Sequence, residues 1–368
     1  MAHSAPDRVP VWTWLLPCLA GLLLILKTVG VAPQDWVSVQ LLAGLLLGGS
    51  VFAAVHHAEV LALKLGEPFG SILLAVAVTV IEVGLIVAVF LSGAPGSETV
   101  ARDTVYAAVM IVLGGIVGLC LVLGAGRHRV QQFQLQGASA ALNVLAPLAM
   151  FSLVLPNFTF TVHGPYYSGL QLEFVAVSSL VLYGLFVFVQ TVRHRDYFLD
   201  AISDDWADEE AEAVSPAWVV AVSALFLPIA LASIVFLAKI LSHPLEDAVA
   251  AAGLPRAVVG VVIAVIVMLP EGMASVRAAM GNRLQNALNL ALGSAIASIG
   301  LTIPTVATAS LLWGGRQLAL GLDEGNMVLL VLGLFMTSQA LSTGRTTVLQ
   351  GGVHLVLFGV FLMLAAFP

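Results

Sequence analysis

Apolar runs of about twenty residues follow one another along nearly the whole chain, divided by short polar turns. A run of that length is what an α-helix needs to cross a hydrocarbon core of ~30 Å at a rise of ~1.5 Å per residue. Eleven spans are predicted, over 12–31, 37–65, 69–91, 104–125, 138–155, 170–192, 216–241, 256–280, 286–312, 326–341 and 346–367. Apart from the first, they divide into five and five at one long hydrophilic segment, 196–212. An odd number per half turns the second half upside down relative to the first, a plan common among secondary transporters. The predicted fold is therefore an all-α polytopic membrane protein of about eleven transmembrane helices, one plus two inverted repeats of five. Its predicted parts are 1–35 with the first helix, 36–195 as the first repeat, 196–215 as an acidic cytoplasmic linker and 216–368 as the second repeat.

Composition agrees with this reading: 60% of residues are hydrophobic and 10% charged, outside the range of soluble domains. Cys18 and Cys120 both fall in apolar spans, so neither a disulfide framework nor a cysteine zinc site is expected. No cleavable leader is expected, because ten further apolar runs follow the first. With the amino terminus inside, nine basic residues fall on the cytoplasmic side and five (Lys27, Arg102, Lys239, Arg256 and Arg316) on the other. The positive-inside rule then puts the carboxyl terminus outside.

Two acids interrupt the apolar pattern. Glu271 lies in "VVGVVIAVIVMLPEGMASVRAAM" and Glu82 at a similar depth in "GEPFGSILLAVAVTVIEVGLIVAV", each in the second helix of its half. A charge at the bilayer centre costs at least ~2.5 kcal/mol, so both are functional-site candidates. Pro270 and Gly272 are expected to interrupt the later helix and leave the Ile266 carbonyl without its helical donor. Hard cations take several oxygen ligands, and a broken helix supplies carbonyls for that purpose. Thr79 and Ser275 place a hydroxyl on the same face as each acid, although membrane hydroxyls also bond their own backbone.

The helix after each acid is rich in small or polar residues. "QNALNLALGSAIASIGLTIPTV" carries Asn286, Asn289 and Gly293 near one face, and Ser294, Ser298 and Thr302 at fourfold spacing on another. Its counterpart has Gly114, Gly115 and Gly118, which suit close helix crossing and supply no side-chain oxygen. "AAVHHAEV" places His56, His57 and Glu59 near a cytoplasmic helix end, where they could relay protons or sense pH, or simply form a polar boundary. The segment 196–212 holds eight acids and no base, with Phe198, Ile202 and Trp206 spaced by four as one apolar helix stripe. It lacks the Asp spacing and glycine of a calcium-binding helix–loop–helix. Its acids, among them Asp204, Asp205, Asp208, Glu209, Glu210 and Glu212, are expected either to line a solvated linker helix or to act as a cation antenna.

The stretches "AEVLALKLGEPFGSILLAVAVTVIEVGLIVAV", "ARDTVYAAVMIVLGGIVGLCLVLG" and "VVGVVIAVIVMLPEGMASVRAAMGNRLQNALNLALGSAIASIGLTIPTV" resemble the alpha-repeats of the cation/calcium exchanger superfamily. The bacterial calcium (sodium)/proton antiporter branch is the most similar, its acidic segment between the halves included. The resemblance implies the one-plus-five-plus-five arrangement and exchange of cytoplasmic calcium or sodium for external protons. By position, it implies that Glu82 and Glu271 are the paired acids that bind cation or proton. The chain departs from that pattern at Gly114 to Gly118, where exchangers usually carry Ser and Asn, and at Ala297, where they carry Gln. Carbonyls and water would then complete the ligand shell.

Two facing carboxylates can neutralise one divalent cation or take up two protons, but not both, and that competition is an exchange mechanism. The expected function is a secondary antiporter, not an enzyme, exporting Ca2+ in exchange for H+; the alternative is a Na+ or K+/H+ antiporter on the same fold. The transported ions and the lipid bilayer are the expected partners, with no cofactor and no nucleic acid; the expected location is a bacterial inner membrane. An intramembrane enzyme would need a nucleophile with its base or a metal motif, and none stands out in the sequence. An ion channel could also hold acids at mid-membrane, but would conduct without a counter-ion.

Overall fold

The structure is a computed structural model that describes residues 9–30, 36–66, 69–92, 96–199, 216–312 and 317–368. Its main helices are α1 (Val11–Thr28), α2 (Val37–Leu65), α3 (Phe69–Ser92), α4 (Val100–Met110), α5 (Val117–His128), α6 (Leu135–Ala149) and α7 (Gly169–Phe188). After the acidic segment come α8 (Ala217–Ala251), α9 (Ala257–Met280), α10 (Leu284–Leu312), α11 (Glu324–Leu341) and α12 (Val348–Ala366). A wide π-helical turn, Ile111–Ile116, joins α4 to α5, making Val100–His128 one continuous span. Similar turns extend α6 through Met150–Val154 and α7 through Val189–Arg193.

Ten helical stretches among the described residues are long and apolar enough to cross a membrane. The remaining expected span falls on α3, where the shorter apolar stretch Val76–Phe90 is recorded. The protein is thus an all-α polytopic membrane protein. A two-residue antiparallel pair, β1 (Gln131–Gln132) with β2 (Arg345–Thr346), clips the turn after α5 to the turn before α12. Side chains close several helix ends: Ser168 with Gln171 and Thr347 with Gln350 form capping boxes, and Asp323 accepts from the Asn326 amide.

Two helices differ from the sequence reading. The helix expected to end at 241 runs on to Ala251 with Pro228 and Pro244 inside it, and Gly253 at φ +70° turns the chain beyond its end. The predicted interruption at Pro270 is absent, since α9 is helical throughout. A proline removes one N–H, and the turns on either side keep their own bonds, so a long membrane helix can absorb it.

The helices form two compact units. In the unit of residues 1–92 and 202–252, α2 lies along α8, and α1 and α3 each pack on both. Gly84 of α3 makes a close approach possible there: a Cβ on it would come 2.6 Å from Val235 Cγ2 of α8. In the unit of residues 93–201 and 253–368, α10 touches α4, α5, α6, α7 and α9, while α12 covers α5 and the π turn. The α4–α5 span is 83% buried and α12 only 17%, so α4–α5 is an inner helix and α12 an outer one.

The glycines of α4–α5 are what let α12 approach. A Cβ on Gly114 would lie 3.0 Å from the Phe358 Cβ, and one on Gly118 would lie 3.0 Å from Leu355 and 3.1 Å from His354. Gly126 of the same span faces open space. Gly118→Val is therefore expected to lower stability by ~1–3 kcal/mol through overpacking. Gly126→Val is the control, and thermal unfolding of the detergent-purified protein should show a drop for the first and little change for the second.

Candidate functional site

α9 and α10 bring together Glu271 and Ser294. The Ser294 hydroxyl donates to Glu271 Oε2 at 2.6 Å, a short hydrogen bond. Ser275, one helical turn after Glu271, is fully buried and its hydroxyl oxygen has no hydrogen-bond partner. An unsatisfied buried hydroxyl is costly, so this oxygen is available to a ligand or water beside the acid. Ile266 is half-buried four residues before Pro270, and proline has no N–H to offer its carbonyl. Ser298 is buried one turn along α10 from Ser294, and Thr302 one turn further. The Thr302 hydroxyl also lacks a partner. Gly272 lies against the π turn, where a Cβ on it would come 3.3 Å from Ile116 Cδ1.

The π turn carries a group the sequence reading did not single out. His354 of α12, 1% exposed, bonds the Leu113 carbonyl through Nδ1 at 2.7 Å. A carbonyl only accepts, so Nδ1 bears the hydrogen; Nε2 is buried without a partner. Wide turns of this kind recur at functional positions and displace carbonyls from the regular ladder. The signal available in the sequence was a lone histidine inside the apolar run "GGVHLVLFGV".

On α3, in the other unit, Glu82 is 2% exposed and Thr79, three residues earlier on the same face, is 5% exposed. A carboxylate so deeply buried in an apolar helix is costly. In that unit His57 of α2 ties three helices together. Its Nε2 meets the Thr13 carbonyl of α1 and its Nδ1 the Ser223 hydroxyl of α8, both at 3.1 Å. His56 is partly buried against the Trp12 ring at 5.7 Å, and Glu59 is exposed.

Asn289 has a different setting. Its amide donates to the Phe198 carbonyl at 2.5 Å, and its oxygen accepts from Gln285 Nε2 at 2.8 Å. Gln285 Oε1 in turn accepts from the Gln134 amide at 2.7 Å. These side chains fasten the root of the acidic segment, the 3-10 turn Arg195–Phe198, to the start of α10. The antenna candidates Asp204, Asp205, Asp208, Glu209, Glu210 and Glu212 lie outside the described residues. Among the described residues no three His, Cys, Asp or Glu side chains gather as a metal centre. A cation near Glu271 would therefore meet carboxylate, hydroxyl and carbonyl oxygens, the ligand set of hard ions.

The model of the sodium/calcium exchanger protein family matches residues 36–192 and 222–367. The chain belongs to this family. It is a multi-pass membrane cation exchanger, a secondary transporter rather than an enzyme. A Sinorhizobium fredii protein named as an ionic transporter is 55% identical over 98% of this chain and 97% of its own length. The sodium-potassium/proton antiporter ChaA of Escherichia coli is 35% identical over 95% of this chain and 94% of its own. The fold is also that of the crystal structure of the H+/Ca2+ exchanger CAX, at a TM-score of 0.72 with 14% identity, over 97% of this chain and 88% of that one.

In an exchanger, the Ser294 bond should show in cation handling. Losing a hydrogen bond to a charged group costs ~1.5–3 kcal/mol, which corresponds to a factor of ten or more in an equilibrium constant. Ser294→Ala is expected to raise the apparent KM for the transported cation about tenfold, with Ser294→Thr closer to wild type. Flux into reconstituted vesicles as a function of cation concentration checks this.

Proposed function

We propose that this exchanger moves cytoplasmic Ca2+, together with Na+ or K+, outward in exchange for protons, with Glu82 and Glu271 carrying cation and proton in turn. The observation that carries the proposal is the Glu271 carboxylate, held within a membrane-length helix and bonded by Ser294. Two carboxylates neutralise one divalent ion or bind two protons, so occupancy by one ligand excludes the other. If only the neutralised site can turn from one side to the other, the proton gradient drives cation efflux at up to two protons per divalent ion. Ser275, Ser298, Thr79 and the Ile266 carbonyl are the proposed supporting oxygens, with water completing the shell. We take the family match in two stretches on either side of the acidic segment as support for two repeats. The proposed setting is a bacterial inner membrane with the amino terminus inside.

A second reading restricts the cargo to Na+ and K+. It is favoured by the 35% identity to a sodium-potassium/proton antiporter over nearly the full chain. One experiment separates the readings: Ca2+, Na+ and K+ fluxes in proteoliposomes under an imposed pH gradient, wild type beside Glu82→Gln and Glu271→Gln. Gradient-driven Ca2+ movement that falls to the level of empty vesicles in both variants is the expected result. Monovalent flux alone selects the second reading, and exchange retained in either variant removes that glutamate from the mechanism.

The acidic segment is proposed to concentrate cations at the cytoplasmic mouth, because clustered charge raises the local counter-ion concentration. Deleting 204–212 is then expected to raise the apparent KM for cation at low ionic strength and to have little effect at high salt. A KM unchanged at both salt concentrations would refute the antenna.

A further inference from the structure

A cavity of about 640 Å3 opens between the last turn of α1 and the middle of α8, within one compact unit. Lys27 and Lys239 both line it, and His243 stands at the same wall one turn beyond Lys239. No carboxylate lines the cavity, and neither lysine has an ion-pair partner among the described residues. The acids of α8 nearest in sequence, Glu246 and Asp247, come after His243 and are not part of the lining. The hydroxyls of Thr28 and Ser242 donate to carbonyls of their own helices, leaving the basic groups as the free donors.

Depth along the helices decides what such a cavity meets. The Thr13 and Ser223 contacts to His57 lie near the first turns of α1 and α8, and Ser233 reaches the Pro17 carbonyl at 3.5 Å. The two helices therefore run parallel from one membrane face to the other. At ~1.5 Å per residue Lys239 stands roughly 33 Å from the start of α8, one hydrocarbon thickness away. Lys27 is in the last turn of α1, so both ammonium groups lie at headgroup depth in one leaflet. A cation at a helix end can be explained by the helix dipole alone. Lys239 is far from the end of α8, so that explanation fails for it. Towards the bilayer interior the cavity is walled by Ile25 and Phe236, which are 60% and 57% exposed and face hydrocarbon. Positive groups at headgroup depth above an apolar wall complement a phosphate with an acyl chain below it. Basic pockets between membrane helices hold anionic lipids in this way.

We propose that this cavity binds an anionic phospholipid, with the phosphate between Lys27 and Lys239, His243 at the rim and an acyl chain along Ile25 and Phe236. Bound lipid would tie α1 to α8 and relieve the repulsion between two unpaired ammonium groups. A ligand that binds only the folded state stabilises it. The test is thermal unfolding of the full-length protein in detergent with added phosphatidylglycerol, phosphatidylcholine or inorganic phosphate at equal phosphate concentration. Phosphatidylglycerol alone should raise the unfolding temperature by several degrees. The Lys27→Gln/Lys239→Gln double variant should lose most of that rise, and the Lys27→Arg/Lys239→Arg variant should keep it. Should the glutamine variant fail to fold, native mass spectrometry of wild type and the arginine variant in mixed lipid keeps the question open to refutation. Preferential retention of phosphatidylglycerol by both is then the expected result. Equal shifts or equal retention with the two lipids, a shift that survives in the glutamine variant, or one reproduced by inorganic phosphate would each overturn the proposal.

Discussion

Within the hydrocarbon of a bilayer a polar group has no water to turn to, and must find its partner in the protein or remain unsatisfied. Several hydroxyls among the described residues meet that demand locally. Thr305, Thr308 and Thr337 each donate to the carbonyl one turn back in their own helix, and so add little beyond silencing themselves. Other polar groups reach between helices. His57 binds α1, α2 and α8, the Glu271–Ser294 bond joins α9 to α10, and His354 holds α12 to the π turn. Among the described residues several buried hydroxyls have no partner, Ser275 one turn from Glu271 and Thr302 two turns along α10 from Ser294 among them.

Helix packing follows from the same lack of water. Lipid is as apolar as leucine, so helices gain by close fit and not by escaping solvent. Gly114, Gly115 and Gly118 form a smooth stripe over which Phe358, Leu355 and His354 lie in contact. The wide turn Ile111–Ile116 occurs within that stripe, and its Ile116 side meets Gly272, next to Glu271. This span therefore fits closely against both α12 and α9.

Polar and charged groups at the ends of the spans fasten turns. Arg102 pairs with Asp103 at 2.8 Å and also donates to the Gly321 carbonyl, binding the start of α4 to the segment before α11. At the opposite end, the amides of Gln131, Gln285 and Asn289 bind the turns after α5 and α7 to α9 and α10. The root of the acidic segment is thereby attached to the helix that carries Ser294.

The all-α membrane class and the approximate spans could be read from the chain alone, because span length and apolarity are local properties matched to the thickness of the bilayer. The oddity of Glu82 and Glu271 was equally legible, since a carboxylate in an apolar run is anomalous whatever surrounds it. Pro270 misled the reading, because a proline states which bond is missing and not whether the neighbouring turns hold; here α9 continues through it. The π turn, the pairing of Ser294 with Glu271, the engagement of Asn289 with Phe198 and the role of His354 were decided only by the tertiary structure. Each depends on which helix lies opposite, and within a membrane nearly every face is apolar, so hydrophobic pattern carries little information about neighbours.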